Sequence, residues 1–389
     1  MSKVRVHRSP RVLITGIGSL EALGGEAVKL GASKACLVTD AGIAQSGLSE
    51  AAERELADHG IAVDVYDRGM PVPTLEAVAD CVAHIEAGGH DLIVAFGGAS
   101  SSEISKLASV LVGSGTTPLD IAGLDKAPRK RVPLIAVPTT AGTGDEVTAI
   151  GEFTAPDEPR RRAVISDHLI PTVAIIDPVL TISCPPGITA AAGMDAFAHN
   201  VEAFISVHAT LHTDSLTRQG VELIAKSLRT AVFDGEDIEA RDNMAIGSVL
   251  GGIGYGNAGL GAVHALSYPI TARHHVPHGI ANALIMPWAL EKVMLAGLDY
   301  FGQLGVAMGQ PMAGLSQREQ AQQTVLTMRH LIRDLELPEY LSDVGVPATG
   351  VEQLADDAMQ HTRLLANAPR RLSRDDIVGI YLRAAVRPE

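Results

Sequence analysis

The sequence predicts an α/β domain with a mostly parallel sheet, followed by an all-α domain. Up to about residue 185, short β-branched runs alternate with helical patterns, and these runs are apolar nearly throughout, as in strands buried on both faces. From residue 186 onward, apolar residues recur every three or four positions and strand-like runs almost vanish. At 389 residues, 46% apolar and 20% charged, the chain is long enough for two cores. We therefore divide it into residues 1–185 and 186–389.

Six apolar runs are the predicted strands of the first domain. In chain order they are RVLITG (11–16), ACLVTD (35–40), AVDVYD (62–67), DLIVAFGG (91–98), PLIAVPTT (133–140) and TVAIID (172–177). The pair Pro185-Pro186 marks the change of pattern and is the predicted boundary, because proline resists continuing a strand or a helix.

Charge and composition exclude several classes of partner. The net charge of −14 argues against binding to a nucleic-acid backbone and, more weakly, against anionic membrane surfaces. The basic N-terminal segment lacks an apolar signal region, and no later stretch is predicted to span a bilayer. Three widely spaced cysteines without a CxxC pair indicate buried, reduced thiols. These features predict a cytoplasmic protein.

The fourth predicted strand runs into a turn of small residues and a helix, in DLIVAFGGASSSEISK. Gly97, Gly98, Ala99 and Ser100 form the turn, and serines with Glu103 open the helix. Such a helix start presents unpaired backbone N–H groups and the positive end of the helix dipole, which suit a pyrophosphate. An ordinary strand-to-helix turn with a serine cap has the same pattern. This segment alone favours neither interpretation.

Two further strand ends carry dinucleotide signals. The loop PTTAGTGDEVT follows the fifth strand, and its Thr139, Thr140 and Thr143 are candidates to bond cofactor phosphate or amide groups. Asp40 closes the second strand, where an acid can accept both ribose hydroxyls and repel a 2′-phosphate. That position favours NAD over NADP. The alternative for Asp40 is that it only begins a turn.

The helix GMDAFAHNVEAFIS places two metal-binding residue types together. Asp195 and His199 lie four apart, on a polar stripe that continues to Glu202 and Ser206. An Asp and a His at this spacing either grip one cation or lie solvated on an amphipathic face. The pair alone favours the solvated face.

A glycine-rich run, GGIGYGNAGLG, precedes two further histidines. Each glycine in a helix costs about 1 kcal/mol relative to alanine, so the run indicates a close approach of the backbone, which we interpret as approach to a metal and a dinucleotide. His264 and His278, on this second loosened helix, complete with Asp195 and His199 a set of one carboxylate and three imidazoles. This set suits Fe(II) or Zn(II), without selecting between them, and is unsuited to Ca or Mg.

These motifs together resemble one known family. GGAS, PTTAGTGDEVT, AAGMDAFAHNVEAFIS, GNAGLGAVHALSYP and VPHGIANALIMP are similar to the iron-containing, or group III, alcohol dehydrogenases, whose fold is shared with dehydroquinate synthase and glycerol dehydrogenase. The resemblance covers most of the chain, including the tail NAPRRLSRDDIVGIYLRAA. It implies an NAD-binding first domain, a metal-binding second domain, a metal- and NAD(H)-dependent alcohol dehydrogenase or aldehyde reductase, and a homodimer.

The resemblance also implies roles for individual residues. It makes Asp195, His199, His264 and His278 the ligands of Fe(II), with Zn(II) or another divalent metal as the alternative. It implies that Gly97, Gly98, Ala99, Ser100 and Glu103 face the pyrophosphate of NAD. It also implies that Thr139, Thr140 and Thr143 lie nearer the nicotinamide half. It adds two cofactor neighbours, Arg161, where a lysine is usual, and Leu180.

The chain departs from the family pattern at several of these places. Ala99 replaces the third glycine of the phosphate loop, Glu103 replaces an aspartate, and Asp145 replaces a serine. Tyr268 stands where many members carry a histidine beside the metal, which puts the family's proton relay in doubt.

A metal of this kind lowers the pKa of a substrate hydroxyl while the substrate carbon passes hydride to nicotinamide. His274 and Tyr268 are the candidate proton-relay residues, the first because imidazole titrates near neutrality. The alternative for Tyr268 is a packed aromatic ring. An aromatic content of 3% indicates a small substrate, and Arg273 permits an anionic group on it.

Two other activities are compatible with this family fold. The stretch HALSYPI resembles a hydroxyacid-oxoacid transhydrogenase. A metal-dependent lyase of the dehydroquinate synthase kind would need a lysine-rich phosphate site, for which the central helices offer only Lys226.

Overall fold

The structure, a computed structural model, describes residues 4–70, 73–155 and 161–387. Arg8–Thr140 and Gly144–Ser183 fold into one compact unit, called here the α/β unit. The chain from Cys184 onward forms a second compact unit, called the helical unit, which also takes in Ala141–Thr143. The loop that carries the three candidate threonines is therefore divided between the two units.

All six predicted strands are present and form one parallel sheet. They are β1 Val12–Thr15, β2 Lys34–Asp40, β3 Ala62–Gly69, β4 Leu92–Gly97, β6 Leu134–Pro138 and β9 Val173–Ile176, in the order β1-β9-β6-β4-β2-β3. In β4, Ile93 and Ala95 enter one apolar cluster, whereas Val94 and Phe96 enter another. Both faces of the sheet are therefore covered, which explains why the strands are apolar nearly throughout.

A small second sheet was not predicted. It consists of β5 Gly123–Leu124, β7 Ile150–Thr154 and β8 Arg161–Ile165, with β7 antiparallel to β8. Strand β5 has two residues, and β7 alternates buried with half-buried positions, so neither has the continuous apolar run by which the other strands were recognised.

Helices of the α/β unit flank the six-stranded sheet. They are α1 Leu23–Lys29, α2 Ala41–Ser46, α3 Glu50–Asp58, α4 Leu75–Gly88 and α5 Ala99–Leu111. The side chain of Thr74 caps α4 by accepting from the backbone N–H of Ala77. The start of α5, after Gly98, has no side-chain cap.

The described residues from Cys184 onward contain helices and no strand, as the sequence predicts. The helices are α6 Pro186–Ile205, α7 Leu211–Phe233, α8 Ile238–Ala258, α9 Ala262–His274, α10 His278–Val293, α11 Leu298–Ala307, α12 Gln317–Asp334, α13 Val351–Ala358, α14 Thr362–Asn367 and α15 Arg374–Ala385. Pro186 is the first residue of α6, where a proline lacks no needed N–H.

The glycine-rich run permits helix packing, and our interpretation of it as a ligand approach was wrong for its helical part. A Cβ atom on Gly251 would lie 2.6 Å from the Asn200 amide of α6, and one on Gly254 would lie 2.2 Å from Thr217 of α7. Helix α8 ends at Ala258, before either histidine. Glycine therefore lets the backbone of α8 lie against two neighbouring helices.

One stretch of the described residues, His278–Ala296, is long and apolar enough to cross a membrane by composition, with a mean hydropathy of 1.2. Because 61% of it is buried inside the protein, it serves as a core helix. The sequence-based expectation that no stretch would reach this length was too strict.

Candidate functional site

Helix α6 buries the first two candidate metal ligands. Asp195 and His199 are each 4% exposed, and Nε2 of His199 lies 3.7 Å from Oδ1 of Asp195. The spacing correctly predicts that they project together. The alternative of a solvated polar face is wrong, because α6 is covered on this side as well.

His264 and His278 reach the same carboxylate oxygen from two other helices. Their Nε2 atoms lie 3.8 and 3.7 Å from Oδ1 of Asp195. The expectation of a single glycine-loosened helix was wrong, since α9 ends at His274 and His278 is the first residue of α10. His275 makes the break, with a left-handed φ of 56°.

The chemistry of this donor cluster fits a divalent transition metal. One carboxylate oxygen and three imidazole nitrogens converge, with each nitrogen 3.7 to 3.8 Å from the oxygen. Two ligand atoms that each bind one ion at about 2.0–2.2 Å are separated by similar distances. Burial alone would raise the pKa of Asp195, but the three nearby imidazoles and the amide of Asn282 lower it, so the carboxylate is in its ligating form.

Asn282, which the sequence analysis did not single out, lies against the donor atoms. Its Nδ2 donates to Oδ1 of Asp195 at 2.7 Å and lies 3.2 and 3.1 Å from Nε2 of His264 and His278. The amide has two N–H groups, so besides its bond to Asp195 it can donate to only one of these two nitrogens, and that nitrogen must present its lone pair. The available signal was its position one turn after His278, on the same face of α10.

The two proton-relay candidates occupy different environments. The ring of Tyr268 lies 5.3 Å from that of His278, 6.1 Å from that of His264 and 5.2 Å from that of His361. His274 ends α9, and burial, together with the charges of Arg273 and His275, lowers its pKa. The described ring contacts thus bring Tyr268, rather than His274, against the donor cluster.

Arg273 does not offer a free cation for an anionic substrate. Its guanidinium pairs with Asp357 through Nε, at the exposed surface of the helical unit. The pairing raises the pKa of Arg273 further. The charge that the sequence analysis assigned to a substrate is already matched within the chain.

In the α/β unit, the turn between β4 and α5 has the geometry expected of a phosphate loop. Gly97 has a φ of 150°, and a Cβ there would lie 2.6 Å from Oγ of Ser101. Gly98 precedes the uncapped start of α5, so the first N–H groups of the helix have no side-chain acceptor. Among the described residues, the buried hydroxyls of Ser101 and Ser102 have no hydrogen-bond partner. These groups fit an anionic cofactor.

Other candidate cofactor residues lie at the same edge of the sheet or in the following loop. Thr139 follows β6 and donates its backbone N–H to the carbonyl of Gly97, and Thr140 lies beside Gly98. Thr143 belongs to the helical unit, where its carbonyl accepts from the Tyr255 hydroxyl. Ala99 and Ser100, half-buried, form the first turn of α5.

Asp40 ends β2 and caps α2. Its Oδ1 accepts from the backbone N–H groups of Gly42 and Ile43 at 2.9 and 3.1 Å. Asp40 therefore does begin a turn. Its other carboxylate oxygen, Oδ2, takes part in neither of these two hydrogen bonds. The structure is compatible with both roles considered for this residue.

Glu103 and Arg161 lie within a group of charged residues that the sequence analysis did not recognise. Burial raises the pKa of Glu103 well above its usual value, with the nearby Asp145 carboxylate adding to the effect. Arg161 pairs with Glu152 at 3.4 Å. The fully buried Lys106 donates to Thr148 and to the carbonyl of Ile150, both at 2.8 Å.

Leu180, the other implied cofactor neighbour, is 5% exposed within the apolar core.

A second cluster of metal-ligand types lies at the opposite end of the sheet. Donor atoms of Cys36, His84 and His90 come within 4.8 Å of one another. Burial raises the pKa of the Cys36 thiol to about 12, and both ring nitrogens of His90 already face acceptors, the carbonyl of Ile85 and the carboxylate of Asp64. The cluster is therefore accounted for by hydrogen bonding and core packing.

Comparison with known proteins places the chain in a family. Residues 10–178 match the model of iron-containing alcohol dehydrogenases, and residues 189–385 match the C-terminal model of the Fe-containing alcohol dehydrogenase family. Long-chain-alcohol dehydrogenase 1 of Geobacillus thermodenitrificans is 37% identical, over 96% of this chain and 94% of its own length.

Two solved structures extend the likeness to the fold. A crystal structure of 1,3-propanediol oxidoreductase has a TM-score of 0.96 and 32% identity, covering 98% of this chain and 100% of its own. A sulfoacetaldehyde reductase from Bifidobacterium kashiwanohense, solved in complex with NAD+, has a TM-score of 0.90 and 27% identity, covering 99% and 100%.

The matched models cover both units, including the donor cluster and the phosphate-loop geometry. The family implies binding of a metal and of NAD(H). The chain belongs to the iron-containing alcohol dehydrogenase family and is an alcohol oxidoreductase.

Proposed function

We propose that this protein interconverts a small alcohol and its aldehyde with NAD(H), using a divalent metal, Fe(II) in the first place, held by Asp195, His199, His264 and His278. The observation that carries the proposal is that Nε2 atoms of three histidines, on α6, α9 and α10, each lie within 3.8 Å of one buried oxygen of Asp195. When bound, the ion supplies Lewis-acid stabilisation of the substrate oxygen and the nicotinamide supplies or accepts hydride.

The chain's own residues prepare this chemistry. Asn282 holds the Asp195 carboxylate by a 2.7 Å hydrogen bond and so fixes the direction of its ligating oxygen. His278, with 21% of its side chain exposed, is the most accessible of the four donors, and a substrate is expected to approach from its side. Burial of the other three keeps water away from the rest of the cluster.

For the cofactor, backbone groups carry most of the recognition. The uncapped start of α5 and the hydroxyls of Ser101 and Ser102 would bind the pyrophosphate. The carboxylate of Asp40 would accept from ribose hydroxyls and repel a 2′-phosphate, which favours NAD over NADP. The relatives compared above are an alcohol dehydrogenase, an oxidoreductase and a reductase, so neither the lyase nor the transhydrogenase alternative gains support.

The substrate class is proposed from relatives of different specificity. Their names include a long-chain alcohol, 1,3-propanediol and sulfoacetaldehyde. Because Arg273 is paired with Asp357, we favour an uncharged short alcohol over an anionic one.

The proposal is tested with protein stripped by a chelator and reloaded with Fe(II) or Zn(II). Oxidation of NADH should require a metal and an aldehyde together, and propanal should be reduced faster than sulfoacetaldehyde. Equal activity of the stripped and reloaded protein would refute the metal requirement. NADPH serves as the control cofactor and should be used less well.

We also propose a cytoplasmic homodimer. The support is the family resemblance and the acidic net charge of −14, which suits a soluble protein. Light scattering coupled to size-exclusion chromatography would give the mass, and a monomeric mass would refute the dimer.

A further inference from the structure

A buried carboxylate outside the donor set contacts one of its histidines. Glu202 lies on α6, one turn after His199, and its side chain is 2% exposed. Its Oε2 lies 2.6 Å from Nδ1 of His264, on the opposite side of the ring from the Nε2 that faces Asp195. Glu202 therefore contacts the donor His264 through the ring nitrogen that does not face Asp195, and it is not itself one of the four donors.

This contact fixes which ring nitrogen of His264 carries the proton. A carboxylate only accepts hydrogen bonds, so Nδ1 must donate its N–H to Glu202. In the neutral ring, Nε2 then holds the lone pair. The position of Asn282 is compatible with this tautomer, because its Nδ2 lies 3.2 Å from that Nε2.

The same carboxylate also holds the start of α9. Its Oε1 accepts from the backbone N–H of Val263 at 2.6 Å, and its Oε2 lies 3.3 Å from the backbone N of His264. The N-cap residue Gly261 has no side chain to do this, and a Cβ there would lie 3.0 Å from Oε1. Glu202 thus caps α9 from another helix.

Through these contacts one helix, α6, holds three of the four donors in position. Asp195 and His199 are part of α6, and His264 is tied to α6 through the carboxylate of Glu202. A donor held in this way loses little conformational freedom when an ion binds. Outer-shell carboxylates on ligating histidines typically change metal affinity by about 10–100-fold.

We propose that Glu202 is a positioning residue that sets the tautomer and orientation of His264 and thereby the metal affinity of the donor cluster. This inference rests on the proposed function, since it assumes that the four donors hold the metal.

The experiment titrates metal-stripped protein with Co(II) alone and follows the visible absorption of the bound ion. Glu202→Gln keeps the volume and one acceptor oxygen but turns the other into an N–H donor, which must face either Nδ1 of His264 or the backbone N–H of Val263. Since both partners need an acceptor, the variant should weaken Co(II) binding about 10–100-fold and shift the absorption bands. NADH binding, measured by fluorescence, should be unchanged. Unchanged Co(II) affinity and spectrum in this variant would overturn the proposal.

Two matched variants separate positioning from a general loss of structure. Asn200, buried on the same helix, donates to the carbonyls of Ala196 and Gly247 and to none of the donor cluster. Asn200→Ala should lower the unfolding temperature yet bind Co(II) like the wild type. If it weakens Co(II) binding as much as Glu202→Gln does, the role of Glu202 is only structural and the proposal fails.

Glu202→Asp provides a test by rescue, also where the Gln variant folds poorly. It keeps an acceptor-only group one methylene shorter, so it should bind Co(II) more tightly than Glu202→Gln or Glu202→Ala. No advantage over the Ala variant would overturn the proposal. Failure of the wild type to bind Co(II) would refute the metal centre itself, which distinguishes the two failures.

Discussion

The two units prepare for their ligands by different physical means. At the start of α5, the α/β unit offers backbone N–H groups, a glycine with a φ of 150° and small hydroxyls. The helical unit offers one carboxylate and three imidazoles on three helices, and all but His278 are buried. Backbone recognition depends on local conformation, and side-chain ligation depends on residue identity. A substitution in the loop is therefore expected to be tolerated where it keeps the backbone conformation, whereas a donor cannot be replaced without losing a ligand.

The largest effect is expected from replacing one of the four metal donors. His264→Ala should remove the metal and lower kcat about a thousand-fold, because Lewis-acid stabilisation of the reacting oxygen contributes several kcal/mol. NADH binding should persist, since the candidate phosphate-binding groups lie in the α/β unit. Metal content by elemental analysis, kcat and NADH fluorescence measure the three quantities. Full activity of the variant would contradict the assignment of His264 as a metal ligand.

Two buried carboxylates, one in each unit, differ in the direction in which the protein shifts their pKa, so the two units are expected to respond differently to pH. The three imidazoles and Asn282 lower the pKa of Asp195 against the effect of burial. For Glu146 of the α/β unit, burial is the dominant effect and raises its pKa to about 7. In the folded protein Glu146 therefore binds its proton more tightly than in the unfolded chain. This contribution destabilises the fold as pH rises from about 4.5 through 7.

Glu146→Gln should remove that penalty. At pH 8 the variant is expected to be more stable than the wild type by on the order of 3 kcal/mol, from a pKa shift of 4.5 to about 7. Below pH 4 the difference should vanish. Thermal unfolding across this range measures it, with exposed Glu76→Gln as the control variant. A stabilisation independent of pH would show that the carboxyl of Glu146 is not the cause.

Gly97→Ala tests the backbone half of the comparison. The new Cβ would meet Oγ of Ser101 at 2.6 Å and would hold a non-glycine residue at a φ of 150°. The turn must shift, so NADH affinity should fall about tenfold, equivalent to about 1.4 kcal/mol. Metal content should not change. Ala99→Gly, which changes the same turn without adding an atom, should bind NADH within about twofold of the wild type, and a tenfold loss there would show that the effect does not come from the Cβ added at Gly97.

The sequence predicted features with a fixed period and missed those that depend on helix ends and helix contacts. The six strands follow from their continuous apolar runs, and the joint projection of Asp195 and His199 follows from the helical period of 3.6 residues. The break between α9 and α10 depends on one residue, His275, in a left-handed conformation that a non-glycine residue rarely adopts. Glycines that pack helices and glycines that bind ligands have the same sequence signal, so α8 was misread.

Glu202 and Asn282 show a further limit of sequence reasoning. Both lie on the same helical face as an assigned donor, yet their contacts cross from one helix to another, Glu202 from α6 to α9 and Asn282 from α10 to α6. In a single sequence, a polar residue near a donor cannot be distinguished from any other polar residue of the helix. Burial and distance made the distinction.

The smallest expected effect concerns Tyr268, whose ring lies beside the donor cluster. Its ring packs 5.3 Å from His278 and 5.2 Å from His361, and removing only the hydroxyl leaves these ring contacts in place. Tyr268→Phe should therefore keep kcat within about threefold, far from the roughly 10²–10⁴-fold that proton transfer by a positioned side chain typically contributes. His274→Ala, at the end of α9, should have no larger effect. A hundredfold fall in kcat for either variant would assign proton transfer to that residue. Near-neutral results for both variants would exclude both residues as the proton relay.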